Sequence, residues 1–158
     1  MSTAEKAIVL PPIDQVGIIV ADLDKAIKFY SSRFGWGPFK VINANLEGCM
    51  YRGKPADCKL KIAFGRSGPI EIELFQVIEG PSPHADFLRE KGEGIQHVRF
   101  SVDNLDEILA EWAKDGIEPV WERRSPVAST AYVDTQKAGG GIMVELIQFH
   151  PTDKTEAR

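Results

Sequence analysis

The amino-acid sequence predicts an α+β fold of two tandem βαβββ modules, and three observations predict it. First, IDQVGIIVADLD (13–24) and IQHVRFSVDNLD (95–106) align at a constant offset of 82, sharing Ile13/Ile95, Val16/Val98, Val20/Val102, Leu23/Leu105 and Asp24/Asp106. Second, the stretches around IEIELFQ and IMVELIQ align at an offset of 72 through Ile70/Ile142, Glu73/Glu145, Leu74/Leu146 and Gln76/Gln148. Third, each copy passes from a period of two to a helical period at the same place. Duplication of this kind implies that each unit buries a face against its twin.

The tails, 1–12 and 151–158, are polar or proline-bearing and lack periodicity. The first module spans 13–80. Its opening strand, 13–20, alternates. Leu23, Ala26, Ile27, Tyr30 and Phe34 then follow at helical spacing behind Asp22, which can cap, and Gly35 ends the run. KLKIAF (59–64) and IEIELFQV (70–77) flank a hairpin turn at 65–69. Residues 81–94 form a linker in which 82–92 is a short capped helix with Pro83 at its first position. The second module, 95–150, repeats the plan. Its strand is 95–102, its helix carries Leu105, Ile108, Leu109 and the core residue Trp112, and its closing strands are 129–134 and 142–149.

Apolar residues make up 43% of the 158 and charged residues 27%, an ordinary balance for a soluble globular chain. A net charge of −4 with scattered Lys and Arg gives no reason to expect nucleic acid or an anionic membrane as partner. No apolar run approaches a membrane span, and the start lacks the apolar core of a secretory signal. Cys49 and Cys58 fit no metal or redox spacing, so a reducing, cytoplasmic location is expected.

Alternation assigns the faces. Val16, Ile18 and Val20, with Val98, Phe100 and Val102, should pack under the helices. Gln15, Gly17 and Ile19, with Ile95, His97, Arg99 and Ser101, take the other face, as do Glu73 and Glu145 in the closing strands. A pseudo-twofold axis would make Gln15 mirror His97 and Glu73 mirror Glu145, so that all four converge on one concave surface. Singly, a strand Glu is usually solvated and a strand His structural. The symmetric pairing makes them a candidate ligand set for one divalent ion: zinc, cobalt, nickel, manganese or magnesium.

On these residues the chain resembles the vicinal oxygen chelate superfamily, which includes glyoxalase I, methylmalonyl-CoA epimerase, extradiol dioxygenases and bleomycin-type resistance proteins. The resemblance covers 13–150 and implies an open, mostly antiparallel sheet curved around a central metal or ligand cavity. SPHADFLREKGEGIQHVRFSVDNLDEI (82–108) and KAGGGIMVELIQF (137–149) are similar to the epimerase branch, whose metal ligands match His97 and Glu145, with Glu73 a third. Epimerases ordinarily have His at the place of Gln15, whereas zinc-type glyoxalase I uses Gln, Glu, His and Glu in this strand order. Gln15 also spoils the two-His triad of the dioxygenases.

The resemblance implies a metal-dependent isomerase or epimerase that abstracts a proton alpha to a carbonyl on an acyl-CoA, assembled as a homodimer. Glu145 is then the base, and Lys61 is the nearest candidate for the second acid/base position. Arg99 is expected to hold a substrate carboxylate or phosphate. Met143 and Ile147 are expected to line an apolar pocket, edged by Trp36 and Phe39. Glu71 reads as solvated, and His84 and His150 receive no role. Two alternatives stay open: a glyoxalase I-like lactoylglutathione lyase, and a metal-free small-ligand-binding protein of the same fold.

Overall fold

The computed structural model describes residues 7–152. The outer parts of both predicted tails, 1–6 and 153–158, lie outside the described residues. In the first module β1 (Gln15–Ile19) leads into α1 (Leu23–Phe34). The Asp22 carboxylate caps that helix by accepting from the Lys25 N–H at 3.0 Å, and Gly35 closes it in the left-handed conformation. Then come β2 (Lys40–Leu46), β3 (Cys49–Tyr51), β4 (Lys54–Pro55), β5 (Cys58–Ser67) and β6 (Ile70–Glu79). The linker forms α2 (Pro83–Lys91), whose N-cap Ser82 accepts from the Ala85 N–H at 3.1 Å. The second module comprises β7 (Gly94–Ser101), α3 (Leu105–Ala113), β8 (Pro119–Arg124), β9 (Ala128–Asp134), the single turn α4 (Gln136–Gly139) and β10 (Met143–Phe149).

The strands form one ten-stranded mixed sheet in the order β2-β5-β6-β1-β7-β10-β9-β8-β3-β4. The modules meet at the antiparallel pair β1–β7, and within each module the first and last strands run parallel. β2 and β3 are consecutive in sequence yet sit towards opposite ends of this order. The short link after Leu46 therefore draws the two edges towards each other and curls the sheet into a half-barrel.

The convex side carries two matching cores. Ile18, Val20, Leu23, Ala63, Ile72 and Leu74 pack with α1, and Val102, Leu105, Ile108, Ala131, Val144 and Leu146 pack with α3. Each Val, Leu or Ile among them contributes roughly 1.5–3 kcal/mol through burial. Trp112 joins the second core as expected. Trp36 and Phe39 pack against the first core, on the convex side, so they do not edge the cavity. Ile8 and Leu10, inside the predicted N-terminal tail, also pack against the second core, because this part of the tail is apolar.

The offset-72 match has a structural cause. Gln76 Oε1 accepts from the Leu23 N–H at 2.8 Å, and Gln148 Oε1 accepts from the Leu105 N–H at 3.1 Å. Each module thus satisfies the open first turn of its helix from its own closing strand. On the concave side, Ile19, Cys58, Leu60, Ile62 and Phe75 pack with Phe87 and Leu88, which places α2 inside the cup.

Candidate metal centre

Gln15, Glu73, His97 and Glu145 lie on β1, β6, β7 and β10, four strands adjacent in the sheet. Their donor atoms converge on one point. His97 Nε2 is 3.0 Å from Glu145 Oε2, 3.2 Å from Gln15 Oε1 and 3.6 Å from Glu73 Oε2. Metal–ligand bonds of about 2.0–2.2 Å place neighbouring donors of one ion roughly 3.0–3.4 Å apart, so this spacing suits a single cation. The Glu73, His97 and Glu145 donors form a buried cluster that could hold a metal ion. Glu145 Oε2 is buried and faces the His97 imidazole within ion-pair range, without meeting hydrogen-bond geometry. Buried carboxylates call for a positive partner, which the protonated imidazole or a bound ion can supply, and the mixed nitrogen and oxygen set fits a divalent ion. All four donors come from one chain.

The electrostatics show His97 and Glu73 both shifted towards holding a proton. Burial alone would push the His97 imidazole down, but the Glu145 and Glu73 carboxylates outweigh it and raise its pKa to about 9. Burial pushes Glu73 up to about 7, opposed by His97 and reinforced by Glu145. Without an ion, the protein itself must supply the positive charge that these carboxylates demand.

A polar chain braces Gln15. Its Nε2 donates to Glu71 Oε1 at 2.7 Å, which turns the amide oxygen towards His97. Glu71 in turn lies 3.5 Å from Arg99 Nη1, and Arg99 Nε donates to Asp14 Oδ1 at 2.7 Å. Asp14 also accepts from the Ser101 N–H at 3.1 Å and from its hydroxyl. Glu71 is therefore not simply solvated. Arg99, expected to hold substrate, has its guanidinium engaged by two neighbouring carboxylates.

The imidazole of His97 is enclosed. Its Nδ1 lies 2.7 Å from Gln96 Oε1, and its ring packs 5.6 Å from Phe75 and 5.1 Å from Tyr132, centre to centre. Gly17 stands opposite His97 across the β1–β7 seam, and a Cβ there would fall 2.0 Å from His97 Cε1. His84, given no role from sequence, is buried in the first turn of α2, with Nε2 3.1 Å from the Tyr132 hydroxyl. Burial pushes its pKa down to about 3, so it is neutral.

Other expected site residues fall further out. Lys61 does not reach the centre. Its ammonium pairs with Asp24 of α1 at 3.3 Å, on the convex side, whereas Leu60, Ile62 and Phe64 of β5 face the cup. Ile147 is nearly buried two residues beyond Glu145, and Met143 packs beside Cys49, Tyr51, Trp121 and Tyr132. Ile95, placed on the face of His97 by strict alternation, is exposed, because the register shift in β7 breaks that alternation. Sequence reasoning missed Gly17, Gln96, Glu71, Tyr132 and His84. Only Gly17 left a signal, a glycine inside a strand.

Comparison with known proteins agrees with this geometry. The uncharacterized protein YwkD of Bacillus subtilis (strain 168) is 29% identical over 123 residues, covering 78% of this chain and 86% of its own. The mitochondrial methylmalonyl-CoA epimerase of Homo sapiens is 27% identical over 139 residues, covering 86% of this chain and 73% of its own. The crystal structure of methylmalonyl-CoA epimerase from Mycobacterium tuberculosis superposes with a TM-score of 0.63 at 27% identity, covering 90% of each chain. The family model described as Glyoxalase/Bleomycin resistance protein/Dioxygenase superfamily matches residues 14–133, most of the chain, and the protein belongs to that superfamily.

Proposed function

We propose that the protein is a divalent-metal-dependent enzyme that abstracts a proton from the carbon next to a carbonyl, acting on an acyl-CoA or a similar small substrate. The observation that carries this reading is the convergence of four buried donors from both modules, two of them carboxylates, on one point. The human and mycobacterial relatives named methylmalonyl-CoA epimerase support the substrate class. A divalent ion at this point would act as a Lewis acid on the substrate carbonyl. Glu145 is the base, since its carboxylate lies within the donor cluster with Oε2 3.0 Å from His97 Nε2. Ile147 and Phe64 provide apolar walls that keep water from the reacting carbon. The two free, buried thiols, Cys49 and Cys58, support a reducing, cytoplasmic setting.

A second reading, a lactoylglutathione lyase of the glyoxalase I type, is favoured by one observation. An epimerase must return the proton to the opposite substrate face, yet β5 offers Leu60, Ile62 and Phe64 to the cup. Incubating the metal-loaded protein with 2-methylmalonyl-CoA in heavy water separates the two. Exchange at the α-carbon with inversion supports the epimerase. No exchange there, with turnover of the methylglyoxal–glutathione hemithioacetal, selects the lyase. Loss of both activities would sink the enzyme reading. Glu145→Gln should lower exchange by about 10²–10⁴-fold with an unchanged circular-dichroism spectrum.

A further inference from the structure

Gln96 precedes His97, and regular alternation would send its side chain to the convex side. The β1–β7 register prevents that. Gly17 pairs with His97 and Ile18 with Ile95, so Gln96 is an extra residue with no partner on β1. Such a bulge re-aims a side chain. Here it brings Gln96 beside the imidazole on its own strand, with both residues almost fully buried. Gln96 Oε1 lies 2.7 Å from His97 Nδ1, while its Nε2 has no hydrogen-bond partner among the described residues. The residue also borders a cavity of about 130 Å³ between α2 and the β9–β10 connection.

We propose that Gln96 is the positioning residue of this centre: it accepts a hydrogen bond from the Nδ1–H of His97 and so turns the Nε2 lone pair towards Gln15, Glu73 and Glu145. A ligating histidine whose far nitrogen donates to an oxygen is fixed in tautomer and ring angle, and losing such a partner typically costs about 10–100-fold in metal affinity. The bulge matters because it supplies the acceptor from the adjacent residue. The acceptor therefore reaches the ring without another element having to supply it. The unpartnered Nε2 is consistent with an amide retained for its oxygen, because a buried donor left unmet costs about 1–3 kcal/mol.

This inference rests on the metal reading, and its test separates the two. Co(II) is titrated into wild type, Gln96→Leu and Gln96→Glu, with absorbance reporting binding, and the His97 tautomer is followed by ¹⁵N NMR in the Zn(II)-loaded proteins. Gln96→Leu should bind Co(II) about 10–100-fold more weakly and lose the protected Nδ1–H signal. Gln96→Glu, which keeps an acceptor oxygen in place, should restore both. Wild-type affinity in Gln96→Leu, or no rescue in Gln96→Glu, overturns the proposal while leaving the metal site standing. No Co(II) binding by wild type overturns both.

Discussion

Gly17 decides whether His97 can lie where it does. Replacing it with Ala would place a methyl group 2.0 Å from His97 Cε1, and neither the ring nor the central strand pair can move cheaply. Overpacking of this kind costs roughly 1–3 kcal/mol. Gly17→Ala should therefore lower the urea midpoint and weaken metal binding at least tenfold, measured by titration. Unchanged affinity would show that the ring is not held against β1. Protonation gives a second prediction at this scale. His97, raised to about 9, carries a proton in the metal-free protein at neutral pH and must lose it to become a ligand. Between about pH 7 and 9, binding should release about one proton and tighten as pH rises, levelling off above that range. Calorimetry in buffers of different ionisation enthalpy measures the number released. Below about pH 7, Glu73 adds to it. The convergence of the four candidate donors was legible in the sequence because duplication aligned Gln15 with His97 and Glu73 with Glu145. Their supports were not, because Gly17 acts through cross-strand register and Gln96 through a bulge, and neither is written in local pattern.

Among the elements, α2 shows how far local signals reach. Ser82, Pro83 and Gly92 marked its ends correctly, yet nothing in its own residues says that it enters the cup. That position leaves His84 buried against Phe75 and Tyr132. Its folded pKa of about 3 lies below the ordinary value of 6.5, so the unfolded chain binds the proton more readily. The stabilisation is complete above about pH 6.5 and is lost as pH falls towards 3, at up to about 1.4 kcal/mol per pH unit. Urea denaturation of wild type should weaken more steeply between pH 6.5 and 4.5 than that of His84→Gln. Equal slopes would mean that α2 yields before His84 is protonated. The strands were legible where one face is apolar and the other polar. In β5 alternation sets Lys59 and Lys61 opposite Leu60 and Ile62, but both faces of the sheet are covered by helices, so the pattern did not say which of them is the cup. β2 and β8 escaped because their residues are largely exposed or charged.

For the whole molecule, strand pairing joins the modules at β1–β7 and at β3–β8, and an ion held by Gln15, Glu73, His97 and Glu145 would add a further tie beside the first of these seams. A ligand that binds only the folded state, at a free concentration of 100 times its Kd, adds about 2.7 kcal/mol. For a chain of this size that raises Tm by roughly 5–10 °C. Scanning calorimetry with Co(II), Mn(II) or Zn(II), each reversed with a chelator, should show the rise for at least one ion. No shift with any of them would count against the centre. The duplicated plan was visible from sequence, and so was the concave placement of the ligands. The curl that closes the cup was not, since it depends on β3 crossing to pair with β8. The β1–β7 seam also shows where the two halves differ. Its pseudo-equivalent cross-strand pairs are Gln15 opposite Arg99 and Gly17 opposite His97. The bulky ring faces the residue without a side chain, and the slimmer amide faces a long guanidinium. At the Gly17–His97 pair the halves are complementary in volume, like a bolt and its socket. Divergence at this one junction gave the ring its room.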